Sequence, residues 1–119
     1  MPRYMIQVRA TAMSEAGDFP DDPTLVPRMM AFHDEMAKAG VLLDGAGLQP
    51  SSQGFRVHYD AAGRGSITDG PFAESKEVVA GFYLVEARDM EEAIEIAKRI
   101  PSARMANIEV RPTRQLVVY

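Results

Sequence analysis

The run VVAGFYLVEA, residues 78–87, is apolar at odd and even positions alike as far as Val85. A strand that is apolar on both faces needs cover on both, so this one belongs at the centre of a sheet. The segments around it can supply that cover. YMIQVRAT, residues 4–11, alternates, with Ile6, Val8 and Ala10 facing one way and Gln7, Arg9 and Thr11 the other, which predicts a first strand. SEAGDFPDDP then reads as a polar loop, with Asp22 or Thr24 placed to cap a helix that tolerates Pro27 in its first turn and stops at Gly40. Within that helix, Thr24 to Ala39, the residues Leu25, Met29, Phe32 and Met36 form one buried stripe, while Arg28, Glu35 and Lys38 lie opposite.

VLLDGAGLQP and GFRVHYD predict two more strands, the second with Phe55, Val57 and Tyr59 on one face and Arg56, His58 and Asp60 on the other. DAAGRG turns back into SIT, which predicts an extra hairpin over residues 54–69. Beyond the central strand, DMEEAIEIAKRIP has Asp89 as N-cap and Glu92 three residues on, a capping-box pattern, and Pro101 ends a helix running from Met90 to Ile100. ANIEVRPT is the last core strand, and RQLVVY is an apolar tail able to pair as an edge strand. The order is β-α-β, an inserted hairpin, then β-α-β: an α+β, ferredoxin-like βαββαβ plan with both helices on one sheet face. The other face, with Tyr83, Val85 and their neighbours, would lie bare unless a second subunit covered it, so a homodimer through the sheet face is expected.

A chain of 119 residues with 46% hydrophobic composition fits a single domain over residues 1–119. With eight methionines and no cysteine it has no disulfides, no thiol nucleophile and no cysteine-type zinc site. The net charge of -4, with 13 basic residues scattered along the chain, argues against nucleic acid as a partner. No run approaches the roughly 20 apolar residues that span a bilayer, so no membrane partner and a cytoplasmic location are expected.

The candidate chemistry lies in two places. TDGPFAESKE, residues 68–77, runs a turn-forming Asp-Gly-Pro into Phe72 and then into Glu74, Ser75, Lys76 and Glu77, crowding carboxylates, an ammonium and a hydroxyl beside an aromatic. The same letters also suit an ordinary turn followed by a solvated helical turn. His33 sits at the margin of the helical stripe, where clefts open, and can exchange protons near neutral pH if a carboxylate orients it. A histidine satisfied by a carbonyl or water would look the same. His58 alternates with Arg56 and Asp60 on a polar strand face. No His-Glu-x-x-His or clustered carboxylates indicate a metal, GAG at residues 45–47 is too short for a dinucleotide fingerprint, and Ser75 lacks an elbow pattern. No cofactor is expected.

DGPFAESKE, together with AGVLLDGAGLQP upstream and IEVRPT downstream, resembles the YCII-related family, in particular its DGPF-domain branch, with Ser75 where the branch signature carries Thr. The resemblance runs from Tyr4 to about Pro112. It implies a ferredoxin-like α+β barrel that dimerises through its sheet, and a family that includes enzymes with a His-Asp pair. His33 matches the histidine by helix and depth. The family's aspartate, near the end of the second helix, does not carry over, because that place reads AKRIP with Arg99 and Ile100 before Pro101. Asp69 in the signature is therefore the expected acidic partner. DGPF proteins are also linked with sigma factors, which implies a regulatory alternative.

Two functions follow. One is a cofactor-free acid-base enzyme working by elimination or proton abstraction on a small cyclic or aromatic molecule, with His33 and Asp69 catalytic. Phe72 and Phe32 or Met29 would line its pocket, Glu74 at its edge would be the alternative to Asp69 as the carboxylate near His33, and Lys76 or Arg111 would meet an anionic group. The other is a ligand-sensing or interaction module associated with sigma-factor regulation, in which the same pocket binds and nothing is turned over.

Overall fold

The computed structural model describes residues 1–18, 20–72, 78–102 and 106–114. Strand β1 spans Arg3–Arg9, β2 Leu42–Gly47, β5 Val79–Glu86 and β6 Ile108–Pro112. They form one antiparallel sheet in the order β2-β5-β1-β6. Helix α2, Leu25–Lys38, carries the chain from β1 to β2 past β5, and α3, Met90–Lys98, carries it from β5 to β6 past β1. Two such crossovers through one sheet are the ferredoxin-like plan. A short helix α1, Ala12–Glu15, sits where the reading had only loop, started by Thr11 and Ser14 in a reciprocal cap.

Both helices lie on the same face. Phe32 and Met36 of α2 and Ala93, Ile96 and Ala97 of α3 share one core with Tyr4, Ile6, Tyr83 and Val85. The register makes the four sheet residues neighbours on one face, since Ile6 stands opposite Tyr83 and Tyr4 opposite Val85. This corrects one expectation: Tyr83 and Val85 point under the helices, not to the uncovered face. The uncovered face is built from the alternate set, in which the half-buried Met5, Phe82 and Leu84 stand among Gln7, Glu86, Glu109 and Arg111. In a strand apolar on both sides, alternation cannot choose the face, and only the pairing with β1 decides it.

The hairpin forms, with β3 at Phe55–Tyr59 and β4 at Gly65–Asp69, but as a separate two-stranded sheet and not as an extension of the core sheet. A 3-10 turn at Ser51–Gln53 precedes it and the Asp-Gly-Pro turn follows it, so both ends break the ladder. Helix α3 ends at Lys98, two residues short of Ile100. Asp89 accepts the Glu92 N–H at 2.9 Å, while the Glu92 carboxylate takes the Arg88 N–H at 3.2 Å, so the second half of the box falls one residue early. At α2, Thr24 makes no side-chain cap. Asp22 accepts its N–H and hydroxyl instead and pairs with Arg28 at 2.9 Å. The tail expected as an edge strand lies, from residue 115 on, outside the described residues.

Candidate functional site

The site begins with what three residues lack. On the helix-facing side of the sheet, Val8, Gly81 and Gly47 stand in one row across β1, β5 and β2, and Ile6, Tyr83 and Gly45 stand in the next. Helix α2 passes above with Met29, His33 and Ala37, and a cavity of about 650 Å³ opens between it and the glycine-floored strands. Alternating glycines on two paired strands remove side chains from one face only.

His33 and Tyr83 meet at this cavity, with Nε2 of the imidazole 2.8 Å from the phenol oxygen. Phe32 packs its ring edge-on to Tyr83 and to His33, at 6.1 Å between centroids in each case, so the three rings form one cluster. Burial pushes the Tyr83 hydroxyl above its ordinary value, so the phenol keeps its proton through the neutral range. One ring nitrogen of His33 is thereby committed to Tyr83, which orients the imidazole and leaves Nδ1 for a second partner. Among the described residues no carboxylate forms an ion pair with His33.

Asp69 is exposed at the end of β4, opposite Phe55, and no described hydrogen bond or ion pair joins it to His33, whose described side-chain partner is Tyr83. Phe72 lies under the Arg56 guanidinium, 3.8 Å from its ring centroid. Arg111 stands opposite Met5 on the sheet face turned away from α2, with Glu109 at 3.8 Å. Glu74 and Lys76 lie outside the described residues, as do Ser75 and Glu77. His58 is on β3 opposite Ser66.

The described part of the signature is held by groups the sequence reading did not single out. Gly70 donates its N–H to the Gly54 carbonyl at 2.9 Å, and the Phe72 N–H donates to the Ser51 hydroxyl oxygen at 3.0 Å. Ser51 is buried, and both its N–H and its hydroxyl donate to the Glu15 carboxylate of α1. The Gly70-Pro71 bond is cis, and a Cβ on Gly70 would lie 1.7 Å from the Ser51 carbonyl oxygen. Only glycine fits there. Tyr83 was missed for a different reason, being read as one apolar letter among many. The alternating glycines of GAG and AGF were the available signal for a side-chain-free floor. Among the described residues no group of three His, Cys, Asp or Glu side chains is placed to hold a metal.

A family model for the YCII-related domain matches residues 3–116. The chain belongs to the YCII-related domain family. This YCII-related chain is 32% identical over 94 residues to an uncharacterised protein of Rhizobium meliloti, an alignment covering 77% of this chain and 75% of that protein. Among solved structures it resembles the 5-chloro-2-hydroxyhydroquinone dehydrochlorinase TftG of Burkholderia phenoliruptrix, determined in complex with 2,5-dihydroxybenzoquinone. The TM-score is 0.53 at 10% identity, over 94% of this chain and 93% of that one. At such identity the likeness is one of fold, and it agrees with the ferredoxin-like α+β architecture of the YCII-related chain. No described helix of it is long and apolar enough to cross a membrane.

Proposed function

We propose that this YCII-related protein is a cofactor-free acid-base enzyme acting on a small cyclic organic molecule by proton abstraction or elimination. The observation that carries the reading is the His33–Tyr83 pair, 2.8 Å apart on the wall of a cavity under α2. His33 is the proton-transfer group and Tyr83 the positioning residue. The imidazole takes a proton from an O–H or C–H of the bound molecule, the freed electron pair forms a double bond, and a leaving group departs with its own pair. The net change is loss of HX, with no oxidant needed. The fold shared with a dehydrochlorinase supports elimination as the reaction to try first.

The test is release of chloride and protons from chlorinated hydroquinones by the purified protein and its variants. His33→Ala is expected to lower kcat at least about 100-fold, the usual scale of a lost general base. Tyr83→Phe should shift the pH profile more than it lowers the maximum, because it frees the imidazole without removing it. Asp69→Asn tests the acidic partner expected from the sequence: a fall comparable to that of His33→Ala assigns Asp69 a catalytic role, and unchanged turnover confines it to the turn. Unaltered turnover in His33→Ala overturns the reading.

The apolar hairpin face, exposed at Phe55, Tyr59 and Ile67, favours a second reading as an interaction module, since acid-base chemistry gives it nothing to do. Ligand affinity without turnover of any probe would select that reading.

A further inference from the structure

We propose that the cavity is a flat slot for one uncharged aromatic ring, with Gly47 setting its depth and the lack of a cation among its described lining residues its discrimination against anions. This names the ligand of the site just described and rests on that reading only for the proton-transfer step.

The three floor glycines do not have the same reason to be glycine. A Cβ on Gly45 would lie 2.9 Å from the Phe82 carbonyl oxygen, and one on Gly81 would lie 2.9 Å from the Ala46 carbonyl oxygen, so close backbone approach accounts for both. A Cβ on Gly47 would meet nothing within 4 Å, and its φ is not in the left-handed region. Glycine within a strand weakens it and, where no turn or bulge needs it, marks close approach by another molecule. Gly47 faces the cavity and pairs with Gly81, so its missing side chain is space held open for a ligand.

The shape of that space follows from sheet geometry. Paired strands lie about 4.8 Å apart, and same-face neighbours along a strand about 6.8 Å apart. The bare patch at Gly45, Gly47 and Gly81 is therefore about one six-membered ring in extent, floored by flat peptide groups. Met29 approaches from α2, and a thioether packs well against a ring. His33 and Tyr83 reach one edge of the slot, where a ring hydroxyl would meet them. Among the described lining residues none is arginine or lysine, and the one carboxylate, Asp44, stands opposite Leu84 and so turns its side chain to the face away from α2. A carboxylate or phosphate on the ligand would give up water there with no cation to pair with. An uncharged phenol or hydroquinone would not.

The test compares three probes by ligand-observed NMR and chemical-shift titration: hydroquinone, its non-planar analogue cyclohexane-1,4-diol, and the anionic 4-hydroxybenzoate. The parent protein is expected to bind hydroquinone at least about tenfold more tightly than either other probe. Gly47→Val should weaken hydroquinone at least about tenfold with an unchanged melting temperature, and Gly47→Ala should do so by less. Ala37→Lys, which adds a cation to the cavity lining, should narrow the gap between hydroquinone and 4-hydroxybenzoate. Equal binding of the planar and non-planar probes, no binding of any of the three, or full affinity in both Gly47 variants overturns the slot. His33→Ala separates this proposal from the reaction: hydroquinone binding retained with turnover unchanged sinks the acid-base reading and leaves the slot standing.

Discussion

Ser51 joins three parts of the chain that sequence distance keeps apart. Its hydroxyl oxygen accepts the Phe72 N–H while its own two donors go to Glu15, so α1, the 3-10 turn and the signature meet at one buried side chain. Ser51→Ala leaves the Phe72 N–H and part of the Glu15 carboxylate without partners, and a cost of about 1–3 kcal/mol is expected in urea unfolding. Gly70→Ala should cost more than Ser51→Ala in the same measurement, because the added Cβ collides with backbone and the whole turn must move. A Gly70→Ala protein as stable as the parent would show that the turn is not held as described. The turn itself was legible from Asp-Gly-Pro, but its partner was not, because no local pattern ties Phe72 to a serine 21 residues upstream. Tyr83 gives a pH-dependent prediction. Burial raises its folded-state value above the ordinary tyrosine value of 10.0, so its contribution to stability is fully present below that pH and is lost as pH rises through the folded value. Melting temperatures between pH 8 and 11 should therefore fall at the alkaline end for the parent, and less steeply for Tyr83→Phe.

Among the elements, the helices were the most legible. Of the stripe Leu25, Met29, Phe32 and Met36, three are buried as the spacing requires and Met29 is half-buried at the cavity, and Asp89 caps α3 through the Glu92 N–H. Asp89→Ala is expected to cost about 1 kcal/mol, the usual worth of an N-cap, read as a shift in the urea midpoint at constant slope. A neutral result would mean that the Arg88–Glu92 pair alone holds the helix start. The central strand was legible as central but not as oriented, since Phe82 and Tyr83 are equally apolar letters, and only Ile6 opposite Tyr83 settles which of them lies beneath α2. That one-residue ambiguity also hid half of the site, because the orientation that buries Tyr83 is the one that aligns Gly81 and Gly47 under the helix.

The whole molecule is more extended than its length requires. Its radius of gyration is 16.3 Å, against about 13.5 Å for a compact chain of this size, and its extents are 47 × 43 × 20 Å. The β3–β4 hairpin is the element that stands apart, and a two-stranded sheet alone is marginally stable in water. Its outward apolar face nevertheless carries Phe55 at 62%, Tyr59 at 67% and Ile67 at 69% exposure. The core sheet leaves Met5, Phe82 and Leu84 half-buried on its uncovered face, among the charged Glu86, Glu109 and Arg111. A two-fold partner is the usual cover for such apolar groups, and a standard interface buries roughly 1,600 Å² in total. The expected outcome is a homodimer by light scattering at micromolar concentration. Leu84→Glu places a charge at the centre of the sheet surface and should give a monomer, while Tyr59→Lys with Ile67→Glu charges only the hairpin. If the sheet face is the interface and the hairpin an arm around it, the first variant dissociates fully and the second weakens the dimer by at least about tenfold. A parent protein that is monomeric at 100-fold that concentration removes the partner, and a hairpin variant that alone dissociates moves the interface from the sheet to the arm.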